Sequence, residues 1–309
     1  MSSRPMYRGH PTLAFILLLA FVILADGCAT SPPQQQGPDL AAASLPVYEK
    51  GTTYVYSDGS WERVVDVSAE AVTWENSQGR VSTGPPDFTY KQTSWELRDR
   101  QGVREFAPRK DVLAAPPTNL WPLRVGNVAG HTERGSWRET GGPEKTYRTD
   151  WSCAVAVTER VSVMAGEFDT YRIDCARKSG RRIWELKSWH YAPAVGHYVR
   201  VSSRYTYDRP SWHKELLAVI PPDDGLSAAK KKRIAQSFQK TMEYNQSGRP
   251  LSFSDKRIKV EITPTDTFRI DNGTYCRRYV QKIMLSDKND TFYGMACRES
   301  NGTWVIPRK

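Results

Sequence analysis

The sequence predicts a mainly β protein: an antiparallel β domain followed by a small α+β domain in which one helix packs on an antiparallel sheet. Three observations predict it. From Tyr48 onward, Val, Thr, Tyr and Trp recur in short alternating runs, the pattern of half-buried strands. Those runs are interrupted by turn pairs such as Asp58-Gly59, Gln78-Gly79 and Gln101-Gly102, which close consecutive hairpins. A single stretch, about 228–245, has helical periodicity instead.

The totals suit this reading. A chain of 309 residues with 39% apolar and 25% charged residues has room for two domains and a substantial core, and its balance is that of globular proteins. Residues 1–27 carry Arg4, Arg8 and Asp26, a net +1 of the chain's +10, so +9 remains on the rest. That charge favours anionic neighbours such as lipid head groups or acidic glycans, and is equally compatible with a solvated basic surface.

At the amino terminus, Arg4 and Arg8 precede an uninterrupted apolar stretch at 13–25, the length of a signal-peptide core and short of the ~20 residues a membrane span needs. Ala25-Asp26-Gly27-Cys28 follows, with small residues flanking the acidic one and cysteine in fourth place. It resembles the lipobox of bacterial lipoproteins. The resemblance implies that 1–27 is removed, that Cys28 takes a diacylglyceryl group, and that the mature chain is anchored by its acyl chains, each buried methylene contributing about 0.8 kcal/mol. Ala29, in place of an inner-membrane-retaining aspartate, implies the outer membrane, facing periplasm or surface. The Pro-, Gln- and Ala-rich segment 28–45 lacks an apolar period and reads as a mobile lipidated tether.

The first β domain is expected over 46–220, in two blocks separated by Pro116-Pro117. Ile220-Pro221-Pro222-Asp223-Asp224-Gly225 marks the boundary to the second, 226–309. There, Ser227 is suited to cap a helix and Gly248 to stop it, while Ile234, Phe238 and Met242 form an apolar stripe with Ala235 beside it. Strands at 251–253, 258–263, 275–285, 292–297 and 304–306 supply the sheet beneath.

Four cysteines remain besides Cys28, an even number in a chain bearing an export signal. Three pairings are open. Cys153 with Cys175 and Cys276 with Cys297 are preferred, because each couple brackets a predicted hairpin; Val155, Val157, Val161 and Val163 share the parity of Cys153, as Tyr171 and Ile173 share that of Cys175. Opposed residues in such a hairpin have Cβ atoms about 4.5–5.5 Å apart, within reach of a disulfide. A zinc site would want a close Cys-x-x-Cys pair, which this chain lacks.

Toward the carboxyl end, Gly273-Thr274-Tyr275-Cys276-Arg277-Arg278-Tyr279, Tyr293-Gly294-Met295-Ala296-Cys297-Arg298 and Asn301-Gly302-Thr303-Trp304-Val305-Ile306 occur in order, after Ile262-Thr263-Pro264-Thr265. This resembles the surface-antigen domain of bacterial outer-membrane lipoproteins, the 17-kDa type, over 226–309. The resemblance implies a small envelope domain without known chemistry. The 251–256 segment departs from it, lacking the family's tryptophan and Gly-rich turn. The preceding block, with Trp121-Pro122-Leu123, Gly166-Glu167-Phe168 and Trp189-His190-Tyr191-Ala192-Pro193, is similar to uncharacterised periplasmic β-domains.

Sites of chemistry are scarce. His190, His197 and His213 stand without a third ligand at metal spacing. Nucleophile elbow, phosphate-cradling loop and zinc-protease helix are missing; a hydrolase built on paired carboxylates is brought together only by folding and stays open. Trp184, Trp189, Tyr191, Tyr198, Tyr205 and Tyr207, with Arg181, Arg182 and Arg200, compose either an aromatic platform for a sugar or apolar ligand, or core packing. Lys230-Lys231-Lys232-Arg233 opens the helix, where cations oppose the macrodipole. The expectation is a non-enzymatic envelope lipoprotein that scaffolds or binds, needing no cofactor and no metal. Its expected partners are the membrane itself and another envelope protein, peptidoglycan or anionic lipid, and not nucleic acid. A glycan or small-ligand binder is the alternative, with a cryptic hydrolase behind it.

Overall fold

A computed structural model describes residues 37–90, 94–99, 102–104, 120–137, 143, 145–222, 226–255, 258–285 and 289–307. Cys28, the apolar stretch at 13–25 and Pro116-Pro117 lie outside them.

The first meander is β1 (Thr53–Tyr56), β2 (Trp61–Val67), β3 (Val72–Asn76), β4 (Arg80–Gly84), β5 (Ser94–Asp99) and β6 (Gly102–Arg104), each antiparallel to the next except where the chain leaves β6. Gly59 and Gly79 have φ of 84° and 75° at its hairpin turns, left-handed values that favour glycine. A second series follows: β7 (Val128–Trp137), β8 (Lys145–Val163), β9 (Gly166–Ser179), β10 (Arg182–Ala192), β11 (His197–Tyr205) and β12 (Trp212–Ile220), again paired in sequence order. The third comprises α1 (Ala228–Tyr244), β13 (Leu251–Asp255), β14 (Ile258–Arg269), β15 (Tyr275–Leu285), β16 (Asn289–Arg298) and β17 (Trp304–Val305), with every strand antiparallel to its predecessor.

β12 joins the three. Its first half pairs with β11, its second half with β1, and Ala218 meets Gly294 of β16. Hydrogen-bonded strands therefore cross the expected division at 220/226. β1 shows the consequence: between β2 and β12 all four of its residues are buried. Tyr54 and Tyr56 point into the main core with Leu120, Leu123, Ile173 and Leu216; Val55, of opposite parity, packs with Leu217, Met295 and the Cys276–Cys297 bridge.

The cysteines of each couple are directly opposed in their ladders and bonded, Cys153 to Cys175 and Cys276 to Cys297. Strict alternation in β8 is broken by a register shift between Val155 and Val157, and Val157 is only half-buried, because a bulge re-aims the residues beside it.

The helix begins at its Ser227 cap, whose side chain accepts from the Lys230 N–H. It ends at Asn245, ahead of Gly248, whose N–H instead donates to the Pro264 carbonyl. Arg277 terminates it by donating to the carbonyls of Met242 and Asn245, at 2.6 and 2.8 Å, which satisfies acceptors a helix end leaves open.

The tether is corrected at its carboxyl half. Residues 37–43 lie against the β body: Ala43 and Leu123 exchange backbone hydrogen bonds, and the Tyr171 hydroxyl donates to the carbonyls of Leu40 and Ala41. A Cβ on Gly37 would collide with the Thr158 carbonyl. Composition marked this segment as lacking a period, but a glycine, an alanine and a leucine suffice to follow a groove in another strand's surface.

Candidate functional site

The deepest chemistry on the molecule is a cavity of about 240 Å³ between the first meander and β10–β12. At its floor lies His197, at the start of β11 and 1% exposed. The Tyr48 hydroxyl is 3.0 Å from its Nδ1 and the Tyr56 hydroxyl 3.0 Å from its Nε2. Tyr56 donates onward to Glu62 Oε2 at 3.0 Å, and Tyr198 donates to the same oxygen at 2.7 Å. The other carboxylate oxygen takes Lys214 Nζ at 2.9 Å. Lys214 also lies 3.8 Å from the centre of the Tyr56 ring, within the range of a cation–π contact.

This network fixes the histidine's proton. Tyr56 has one hydroxyl hydrogen and spends it on Glu62, so it accepts from Nε2–H. Nδ1 is then the bare nitrogen, and Tyr48 donates to it. Burial pushes the His197 imidazole down, from 6.5 to about 3, with Lys214 adding to the shift and Glu62 opposing it. Burial would raise the Glu62 carboxyl, yet Lys214 foremost, with His197 and the Tyr198 hydroxyl, holds it at about 2. Desolvation drives the hydroxyls of Tyr48, Tyr56 and Tyr198 well above their ordinary range. At neutral pH the site is thus a neutral imidazole, protonated phenols and one carboxylate–ammonium pair. Neither Glu62 nor His197 changes charge near pH 7, where a general acid or base would be poised.

Its walls are aromatic. Trp74 stacks on His197 at 5.7 Å and meets Tyr48 edge-on at 4.8 Å. Phe88 contacts Tyr198 on the far side. Trp189 and the 37%-exposed Trp212 also line the cavity, with Lys187 Nζ 4.6 and 5.6 Å from their rings.

The platform expected from β10 and β11 divides. Trp189 lines this cavity, while Tyr191 is buried against Phe88 at 5.7 Å. Trp184 is at the opposite end of β10, beside Tyr207 and under the Arg182 guanidinium at 4.9 Å; Tyr205 is there too, beneath Arg209. Arg181 is exposed in the turn before β10. Arg200 turns to the outer face and donates to Glu215 and to the Ser162 carbonyl. Ordinary alternation along β10 puts Trp184 on the face opposite Trp189 and Tyr191, and a register shift in the β10–β11 ladder, which pairs Tyr198 with Tyr191 and Arg200 with His190 and leaves Val199 as the extra residue, turns Arg200 away from Tyr198. His190 there meets Glu159 at 3.0 Å, and burial, partly offset by Glu159, lowers its pKa. Among the described residues no group of three or more His, Cys, Asp or Glu side chains is placed to bind a metal.

Glu62, Lys214, Tyr48 and Trp74 were not singled out from sequence. Glu62 and Lys214 are 152 positions apart, and their one local signal is the Tyr54/Tyr56 alternation in a run too short to be exposed on either face.

The comparisons bear on the other end of the chain. Residues 242–305 match the family of the 17 kDa outer membrane surface antigen. The 17 kDa surface antigen of Rickettsia felis is 32% identical over 78 residues, 24% of this chain and 49% of that protein. That of Rickettsia bellii is 27% identical over 84 residues, 26% and 53%; that of Rickettsia conorii is 40% identical over 45 residues, 15% and 28%. The chain thus spans at most about half the length of these curated relatives. The match begins near the end of α1, leaving most of that helix and the whole cavity outside it. Among solved structures, the crystal structure of the hypothetical lipoprotein YmcC from Escherichia coli is similar over 55% of this chain and 84% of that one, at 10% identity and a TM-score of 0.34.

Proposed function

We propose that this protein is a non-enzymatic, lipid-anchored component of the cell envelope, attached to the outer membrane through acyl chains on Cys28, whose β body binds a small polar ring compound such as a sugar unit. The lipobox-like Ala25–Cys28 and the surface-antigen match at 242–305 support the location. One observation carries the binding role: a charged, hydrogen-bonded Glu62–Lys214 pair lines the same cavity as Trp74, Trp189 and Trp212. Aromatic faces take the apolar C–H side of a sugar ring, and a carboxylate and ammonium take its hydroxyls. The volume is just below the ~300–1,000 Å³ of typical small-molecule pockets, room for about one ring.

Tryptophan fluorescence titrated with neutral and acidic mono- and disaccharides tests the binding role. A saturable change that weakens at least tenfold in Trp212→Ala is expected; a flat response to every sugar removes this reading. The anchor is tested separately by alkynyl fatty-acid labelling. Wild type should take label and fractionate with membranes, and Cys28→Ser should lose both.

A further inference from the structure

Helix α1 is held more firmly at its carboxyl end than at its amino end. Its carboxyl half is tied down by Met242 and Thr241, both fully buried, by Gln239 paired with both backbone groups of Trp304, and by Glu243 accepting from Trp304 Nε1. Its amino half rests on the sheet, where Ile234 and Phe238 pack against Ile258, Val260 and Ile262, yet both stay only half-buried. Beneath them runs a groove of about 560 Å³, floored by Ile283 and Trp304 and closed by Ile220, Leu226 and Ile306.

Two features define what fits. The lining is overwhelmingly apolar, and Lys231, exposed like Lys232 and Arg233, stands at its edge. The first turn of the helix has no acidic residue, and residues 220–240 together carry five basic and two acidic side chains. An occupant must be apolar along its length and anionic at one end. We infer that this groove receives an acyl chain of an anionic phospholipid, with the phosphate meeting Lys231 at the groove's edge and Lys232 and Arg233 adding positive potential around it. The volume falls within the ~300–1,000 Å³ range of ligand pockets, and polybasic segments draw anionic lipid surfaces. The sugar cavity plays no part in this site, so either can fail without the other.

Trp304 in the groove makes binding observable. Intact protein in neutral detergent micelles is titrated with phosphatidylglycerol bearing brominated acyl chains, and in parallel with the phosphatidylcholine counterpart. Bromine in the groove quenches Trp304, and the quenched fraction should vanish in Trp304→Phe. Phosphatidylglycerol should bind at least tenfold more tightly than phosphatidylcholine, and the preference should disappear in the triple variant K231E/K232E/R233E. Ile234→Glu should abolish quenching; if circular dichroism shows that it unfolds, the triple variant decides alone. Equal quenching by both lipids, an unchanged triple variant, or a dimer that closes the groove and is dissociated by Ile234→Glu overturns the inference.

Discussion

His197 is the residue on which the cavity's polar chemistry turns, and it makes the protein sensitive to acid in a particular window. The titratable groups facing it are Tyr48, Tyr54, Tyr56, Tyr198, Glu62 and Lys214. Its folded pKa, about 3, lies below its ordinary 6.5. Between those values the unfolded chain binds a proton that the folded one refuses, so stability is full above pH 6.5 and falls as pH drops toward 3. Glu62, depressed from 4.5 to about 2, contributes stability present above pH 4.5 and lost below it. The two contributions overlap between pH 4.5 and 3, while between pH 6.5 and 4.5 that of the pair comes from His197 alone. For His197 alone the slope reaches about 1.4 kcal/mol per pH unit. His197→Gln should lower stability at pH 7, by removing a bonded buried ring, and should flatten the dependence between pH 6.5 and 4.5 while leaving below 4.5 only the part of the loss that belongs to Glu62. Denaturant midpoints measured across pH 3–8 check this; an undiminished slope above 4.5 in the variant would show that other groups, such as His190, govern it.

At the scale of elements, local pattern was a good guide and register was not. Hairpins showed in their turn glycines, the helix in its Ser227 cap and four-residue stripe, and the disulfide couples in the brackets they form around two turns, since each of these is written in neighbouring residues. The aromatic platform does not form a single cluster because Trp184 has the opposite parity to Trp189 and Tyr191 along β10, and because an extra residue in β11, Val199, turns Arg200 away from Tyr198; a bulge leaves no periodic mark. The opposed cysteines 276 and 297 bind β15 to β16. A closed loop of 21 residues is worth about 3 kcal/mol, so Cys276→Ala/Cys297→Ala should lower the unfolding free energy by that order. Gly294 is the more local constraint in the same pair. A Cβ there would lie 2.5 Å from the buried Tyr279 hydroxyl, and Gly294→Ala should cost about 1–3 kcal/mol as Tyr279 is displaced. Urea unfolding resolves both; a neutral Gly294→Ala would mean that Tyr279 moves freely in its seat.

The whole molecule is organised around strands distant in sequence, and this was the least legible level. The Pro-Pro-Asp-Asp-Gly break reads as a domain boundary because linkers have that composition, yet pairing of β12 with β1 on one side and β16 on the other depends on contacts no local window contains. The Glu62–Lys214 pair was hidden for the same reason. Val55 and Leu217 share a core with Met295 and the Cys276–Cys297 bridge. Arg278 of β15 donates to the Val163 and Met164 carbonyls in the β8–β9 turn, at 3.2 and 3.0 Å. A surface-antigen segment attached in this way cannot open without exposing one face of β1 and β12, so the described body should unfold in one cooperative step. Far-UV circular dichroism and tryptophan fluorescence should give coincident urea transitions. Arg278→Ala, which removes two charge-assisted hydrogen bonds, should shift both midpoints down together, by an energy of about 1–3 kcal/mol. Two separate transitions, or a chain truncated at 220 that keeps slow amide exchange in β1 and β12, would show that the β body stands without its carboxyl-terminal neighbour.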